Sequence, residues 1–134
     1  MKRSEDQVRE ALGRMLANGP LTMLPRQPRD LEVLMALAAA RFEPGREMSE
    51  AQVNQALAAW LETFCAPYGV DHVTLRRCLV DARLLVRDRA GSAYHADAEK
   101  VAEAIEAGAA RIAPAEVMEE VRRTRESRKR AHAA

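Results

Sequence analysis

The sequence predicts a mostly helical domain that carries one small β-hairpin. Three observations lead there. Apolar residues recur along most of the chain at the three- and four-residue spacing of helices with one buried face. Helix-start signals are spread along it: Ser4 with Gln7, Ser49 with Gln52, then Asp71 and Asp97. Residues 84–87 and 93–96 are strand-like runs on either side of a Gly91-Ser92 turn. With the helical stretch before them, residues 71–96 run helix, strand, turn, strand, which is how a winged-helix domain ends. The predicted class is a winged-helix (winged helix-turn-helix-like) core with extra N- and C-terminal helices.

The first helix is expected over 4–17, with Val8, Ala11, Leu12, Met15 and Leu16 as its apolar stripe. Asn18-Gly19-Pro20 ends it, because Gly19 accepts a left-handed backbone and Pro20 cannot continue a helix. A second helix over 28–41 is apolar on most sides and reads as buried on most of its surface. Pro44-Gly45 turns the chain, and residues 46–48 are expected as a short strand. A third helix over 49–64 presents Val53, Ala56, Leu57, Trp60, Leu61 and Phe64. The fourth, over 71–82, presents Leu75, Cys78, Leu79 and Ala82, and the hairpin follows over 85–96. One continuous helix is expected over 97–112, with Val101, Ala104, Ile105, Ala109 and Ile112 inward. A last helix starts at Pro114 and runs to about residue 126. After Val121 the string RRTRESRKRAHAA has no core-facing pattern, so a frayed tail is expected. Two units are assigned: 1–113, the winged-helix-like domain with its N-terminal helix and C-terminal extension, and 114–134, a helix with a basic tail.

A chain of 134 residues suits one core of ordinary size. With 48% hydrophobic but only 4% aromatic residues, that core must be built from Leu, Val, Ala and Met. So few rings also argue against a stacking platform for single-stranded nucleic acid. The formal net charge is +1, so any nucleic-acid binding must rest on local patches. Cys65 and Cys78 make no disulfide framework. Met1-Lys2-Arg3 leads into a charged amphipathic segment rather than a signal sequence. No apolar run approaches the roughly 20 residues of a membrane span. The expectation is a cytoplasmic protein with reduced thiols and no membrane partner.

Several strings read together: Arg41-Phe42-Glu43-Pro44-Gly45-Arg46, then Ser49-Glu50 with Val53-Asn54, then Asp71-His72 with Thr74-Leu75-Arg76-Arg77 and Leu79-Val80-Asp81, and finally Gly91 with Tyr94. In this order they resemble a bacterial domain family of unknown function, over about residues 10 to 96. The resemblance implies the winged-helix part of transcription regulators, found alone and fused to helix-turn-helix repressor domains. It implies a fold more than a function. Two departures stand out. The family pattern usually has glycine where this chain has Arg83, and a left-handed cap there costs a non-glycine residue on the order of 1 kcal/mol. The segment 64–70 is longer and more apolar than the pattern expects.

The candidate DNA contacts are Thr74, Arg76, Arg77 and Arg83 on the reader helix, Arg87 and Arg89 on the wing, and Arg122 and Arg123 at the start of the basic tail. Each has a plainer reading. Arg77 and Asp81 have the spacing of a helix ion pair, and Arg76 can bridge to a neighbouring helix. Asp88 offsets the hairpin charge, and basic tails are often merely solvated. Val73, Val80 and Leu84 have the spacing of a second apolar stripe opposite Leu75 and Leu79. That stripe calls for a cover: the N-terminal helix, the C-terminal helices or a second subunit. Asn54 reads as an amide fixing a turn or a helix contact. Cys65, His72, Cys78 and His95 can ligate metals but lack zinc-site spacing, so no metal and no cofactor are expected. No nucleophile is paired with a base and no glycine-rich phosphate loop occurs, so no enzyme is expected. The expected function is DNA binding of the transcription-regulator kind, with double-stranded DNA as partner. The alternative is a protein-interaction or homodimerisation module that keeps the fold without reading DNA.

Overall fold

The computed structural model describes residues 2–133, so the end residues 1 and 134 of the two assigned units lie outside it. Among the described residues there are six α-helices and three short strands: α1 (Glu5–Met15), α2 (Pro28–Ala39), β1 (Met48–Ser49), α3 (Glu50–Glu62), α4 (His72–Asp81), β2 (Leu85–Arg87), β3 (Ala93–Ala96), α5 (Ala98–Ala104) and α6 (Pro114–Ala133). A 3-10 turn at Ala109–Arg111 separates the last two helices.

The local signals act as their chemistry requires. Ser4 and Ser49 each accept from the backbone N–H three residues on, and Gln7 and Gln52 each accept from the cap N–H in return. Asp71 caps α4 by accepting from the backbone N–H groups of Val73 and Thr74, and Asp97 caps α5 by accepting from that of Lys100. Pro28 opens α2, where its missing N–H costs nothing.

The strands form one antiparallel sheet in the order β1-β3-β2, with Met48 opposite Tyr94, Arg87 opposite Tyr94, and Leu85 opposite Ala96. The sheet closes one end of the core that α2, α3 and α4 build. Leu34, Val53, Leu57, Leu75 and Leu79 are fully buried there with Leu85 and Tyr94. A second cluster, around Val8, Leu12, Leu37, Ile105 and Val117, fastens α1, α5 and α6 to the back of α2. Trp60, on the apolar stripe of α3, is half-buried and packs against both clusters, with its ring edge-on to Phe64 at 4.7 Å. Gly69 marks a close crossing: a Cβ there would stand 3.0 Å from both the Ala66 and the Leu21 carbonyl oxygens.

Three expectations are corrected. The helix expected over 97–112 stops at Ala104. The backbone of Arg3 donates to the Ala104 carbonyl and accepts from the Glu106 N–H, both at 2.9 Å, which pulls Ile105 into an extended conformation. Ile105, Ala109 and Ile112 still point inward, through this bridge and the 3-10 turn. The segment after Val121 is not frayed: α6 continues as helix through Ala133.

The third correction concerns the apolar stripe. Leu84 does not lie on α4. Arg83 follows the C-cap with φ +63°, the Arg83 N–H donates to the Val80 carbonyl and the Leu84 N–H to the Leu79 carbonyl. This Schellman turn swings Leu84 into the core beside Leu79, at 5% exposure. Val80 is half-buried, packed against the first cluster at the crevice between α4 and the hairpin.

Candidate nucleic-acid interface

Helix α4 turns Leu75 and Leu79 into the core, which leaves Thr74, Arg77 and Asp81 as its outward row. Thr74 is held at the helix start, where its Oγ1–H donates to Asp71 Oδ2 at 3.1 Å. Arg77 is exposed and has no carboxylate within 4.0 Å among the described residues, so the plainer alternative, an ion pair with Asp81, does not form.

Arg76 lies one residue away and behaves differently. Its side chain is 12% exposed. Its Nη1 donates to Asn54 Oδ1 at 2.6 Å, and its Nη2 lies 3.4 Å from Glu50 Oε1. The hydroxyl of buried Tyr94 donates to the same Glu50 oxygen at 3.1 Å. One network therefore ties the start of α3 to the middle of α4 and the central strand β3. Arg76 and Asn54 take the bridging roles that their spacing allowed. Glu50 and Tyr94 belong to the site although neither stands out by residue type. Their only sequence signal is membership in the strings quoted for the family resemblance.

The network forms the back of an open crevice of about 340 Å³ between α4 and the hairpin, lined by Glu50, Arg76, Arg77, Val80, Asp81, Arg87 and Tyr94. Arg77 lines it from the helix and Arg87 from the hairpin. The hairpin turn is organised by Asp88, which accepts from the backbone N–H and the hydroxyl of Ser92 at 2.8 and 3.1 Å. The backbone of Ala93, and then these Ser92 contacts, hold the Asp88 carboxyl below the usual carboxylate range. Gly91, at φ +74°, lets the turn close and leaves room for the Arg87 side chain: a Cβ there would stand 2.3 Å from Arg87 Nη2. Arg89 is exposed in the same turn.

The remaining candidates are elsewhere. Arg83 is exposed beyond the end of α4 and does not share a helix face with Arg76. Arg122 pairs with Glu119 and Glu126, and Arg123 with Glu119, along α6. The structure thus brings Arg76, Arg77 and Arg87 together, leaves Thr74 exposed at the start of α4 and Arg89 exposed in the hairpin turn, and leaves Arg122 and Arg123 apart on α6.

Among the described residues no group of three His, Cys, Asp and Glu side chains is placed to hold a metal. Among the described residues no helix is long and apolar enough to cross a membrane. Burial pushes the thiol of Cys65 up to about 11, so it is protonated at neutral pH.

No curated protein and no solved structure matches the chain. A family model does match residues 20–96, more than half of the 134 residues, and it spans α2 to β3 with the whole Glu50–Asn54–Arg76–Tyr94 network. The chain belongs to the uncharacterised protein family conserved in bacteria that is designated DUF2087.

Proposed function

We propose that the chain is a winged-helix DNA-binding domain of the transcription-regulator kind, with α4 offered to the groove and the β2–β3 hairpin as its wing. The observation that carries this reading is the joint placement of Arg77 and Arg87 on one open crevice, where α4 runs directly into a sheet of order β1-β3-β2. Two arginines that have no carboxylate partner among the described residues, one on the helix offered to the groove and one on the hairpin beside it, suit phosphates of a duplex backbone. Thr74, in the same outward row, is then the α4 side chain turned toward base edges, and Arg89 adds charge at the wing. Arg76 is a buttress in this reading and not a reader.

A second reading has its own support. The outward row of α4 also carries Asp81, with Asp71 at its start, and the net charge is only +1. Those carboxylates favour a non-enzymatic protein-interaction or dimerisation module.

A salt titration separates the two. Anisotropy of a labelled duplex of arbitrary sequence should show affinity falling as salt rises, by about 0.9 in log–log slope for each phosphate engaged. Replacing Arg77 and Arg87 together with alanine should flatten that slope by roughly 2. An identical slope for wild type and double variant removes the DNA reading of this crevice. A concentration-dependent increase in sedimenting mass would then favour the dimerisation module.

A further inference from the structure

Helix α6 is two different helices end to end. Its first half packs on the domain: Pro114 and Val117 are buried, and Met118 and Val121 are half-buried. From Arg122 to Ala133 every residue is exposed, so about three turns, ~18 Å of helix, stand clear of the core. This free half carries six arginines and lysines against one glutamate.

The charges are sorted by face. At 100° per residue, Arg122, Arg123 and Arg130 fall on the side of Glu119 and Glu126. Glu119 and Glu126 pair with Arg122 there, and Glu119 also pairs with Arg123. Arg125, Arg128, Lys129 and His132 recur at the i, i+3, i+4, i+7 spacing of a single row. No acidic residue of this half shares that row. It continues the face that carries Val117, Met118 and Val121, so the face that packs inward becomes cationic once it passes the body. Arg125, at the junction, donates to Asn18 Oδ1 at 3.2 Å, just beyond the end of α1.

We propose that this row is a second binding surface, separate from the α4 crevice, and that it takes the phosphate backbone of a nucleic acid without regard to sequence. Charge complementarity selects the partner. The rest of the free half's circumference holds Thr124, Ser127 and Ala131, with no large apolar residue. An amphipathic helix that lies in a membrane needs an apolar face, and a helix that enters a protein groove needs apolar anchors. This one has neither. A high density of negative charge is what remains to match it. The proposal does not depend on DNA binding by α4.

Two double variants with equal charge change test it in the full chain. R128E/K129E reverses the row; R123E/R130E reverses the carboxylate-bearing side. Binding is read with a labelled duplex of random sequence across a salt series, with helix content followed by circular dichroism. R128E/K129E should lose about tenfold or more in affinity and about 2 in log–log salt slope, while R123E/R130E should lose less than about threefold. The Arg77/Arg87 double alanine variant should retain this share of the salt dependence, which keeps the two surfaces distinguishable. Equal losses for both reversals would reduce the effect to net charge and overturn the row. Absence of duplex binding by the wild type would overturn the proposal outright. So would binding to phosphatidylserine vesicles that exceeds duplex binding and is lost in the same variant.

Discussion

Arg76 of α4 donates to Asn54 of α3 across 2.6 Å, and the same guanidinium lies 3.4 Å from Glu50. A charged group with a side chain only 12% exposed needs such partners, because its desolvation is otherwise uncompensated. Asn54→Ala should therefore cost about 1–3 kcal/mol, well above an ordinary surface change. Arg76→Ala should cost a similar amount, and the double variant less than the sum. Denaturant midpoints of the four proteins give the coupling; simple additivity would mean that the pair contributes nothing specific.

The core around α4 admits a plainer test. Leu79 is fully buried and touches the cluster that joins helices to sheet. Leu79→Ala should cost about 2–5 kcal/mol by chemical denaturation, with the slope of the transition unchanged.

How much of this was legible in the sequence follows from where each feature's cause lies. Helix starts were readable because caps are local: Ser49 with Gln52 and Asp71 with Thr74 satisfy backbone groups within three residues. The hairpin was readable for the same reason, since Asp88, Gly91 and Ser92 close it among themselves. The end of α5 was not, because the group that breaks it is the backbone of Arg3, a hundred residues away. Periodicity alone also misplaced Leu84: a stripe counted from Val73 through Val80 assumes the helix continues, and Arg83 ends it. Arg76 and Arg77 are adjacent and chemically identical, so only tertiary contact makes one a brace and leaves the other exposed. The extension of α6 past Val121 lacks a core pattern but carries ion pairs at helical spacing, such as Arg122 with Glu126.

Asp71 should make stability depend on pH. Slight burial works to raise its pKa. Hydrogen bonds from the Thr74 hydroxyl and from the Val73 and Thr74 backbone, with His72 nearby, outweigh that and hold the carboxyl below the usual range. Its folded value being below its unfolded one, the contribution is complete above the unfolded pKa of about 3.9 and is lost as pH falls through the folded value. Asp71→Ala should cost about 0.5–2 kcal/mol at pH 7, and the gap to wild type should shrink below about pH 4. A gap that stays constant down to pH 2 would mean the charged cap contributes nothing beyond the neutral one.

Gly69 lies where the turn after Ala66 passes close to the 21–22 segment. A Cβ would press on two carbonyl oxygens at 3.0 Å and on Thr22 Cα at 3.2 Å, all of them backbone atoms that cannot rotate away. Gly69→Ala should destabilise by about 1–3 kcal/mol, although alanine is the easier residue to order. A neutral or stabilising result would show that the 21–22 segment shifts freely.

Arg83 sets up the opposite case. At φ +63° it sits where an L side chain costs on the order of 1–2 kcal/mol and glycine costs none. Glycine in turn adds freedom to the unfolded chain, worth up to about 1 kcal/mol against it. Arg83 itself is exposed and outside every ion pair among the described residues, so its side chain offers no contact to lose. The balance favours glycine: Arg83→Gly should raise stability by several tenths to about 1 kcal/mol, while Arg83→Ala should change little. The two variants together isolate the backbone term, because both delete the same side chain and only one relieves the left-handed strain. Leu84 supplies an internal check. If the turn at Arg83 is what swings Leu84 against Leu79, Leu84→Ala should cost about 2–5 kcal/mol in either background. A loss below about 0.5 kcal/mol would return Leu84 to the outer face of a continuing helix.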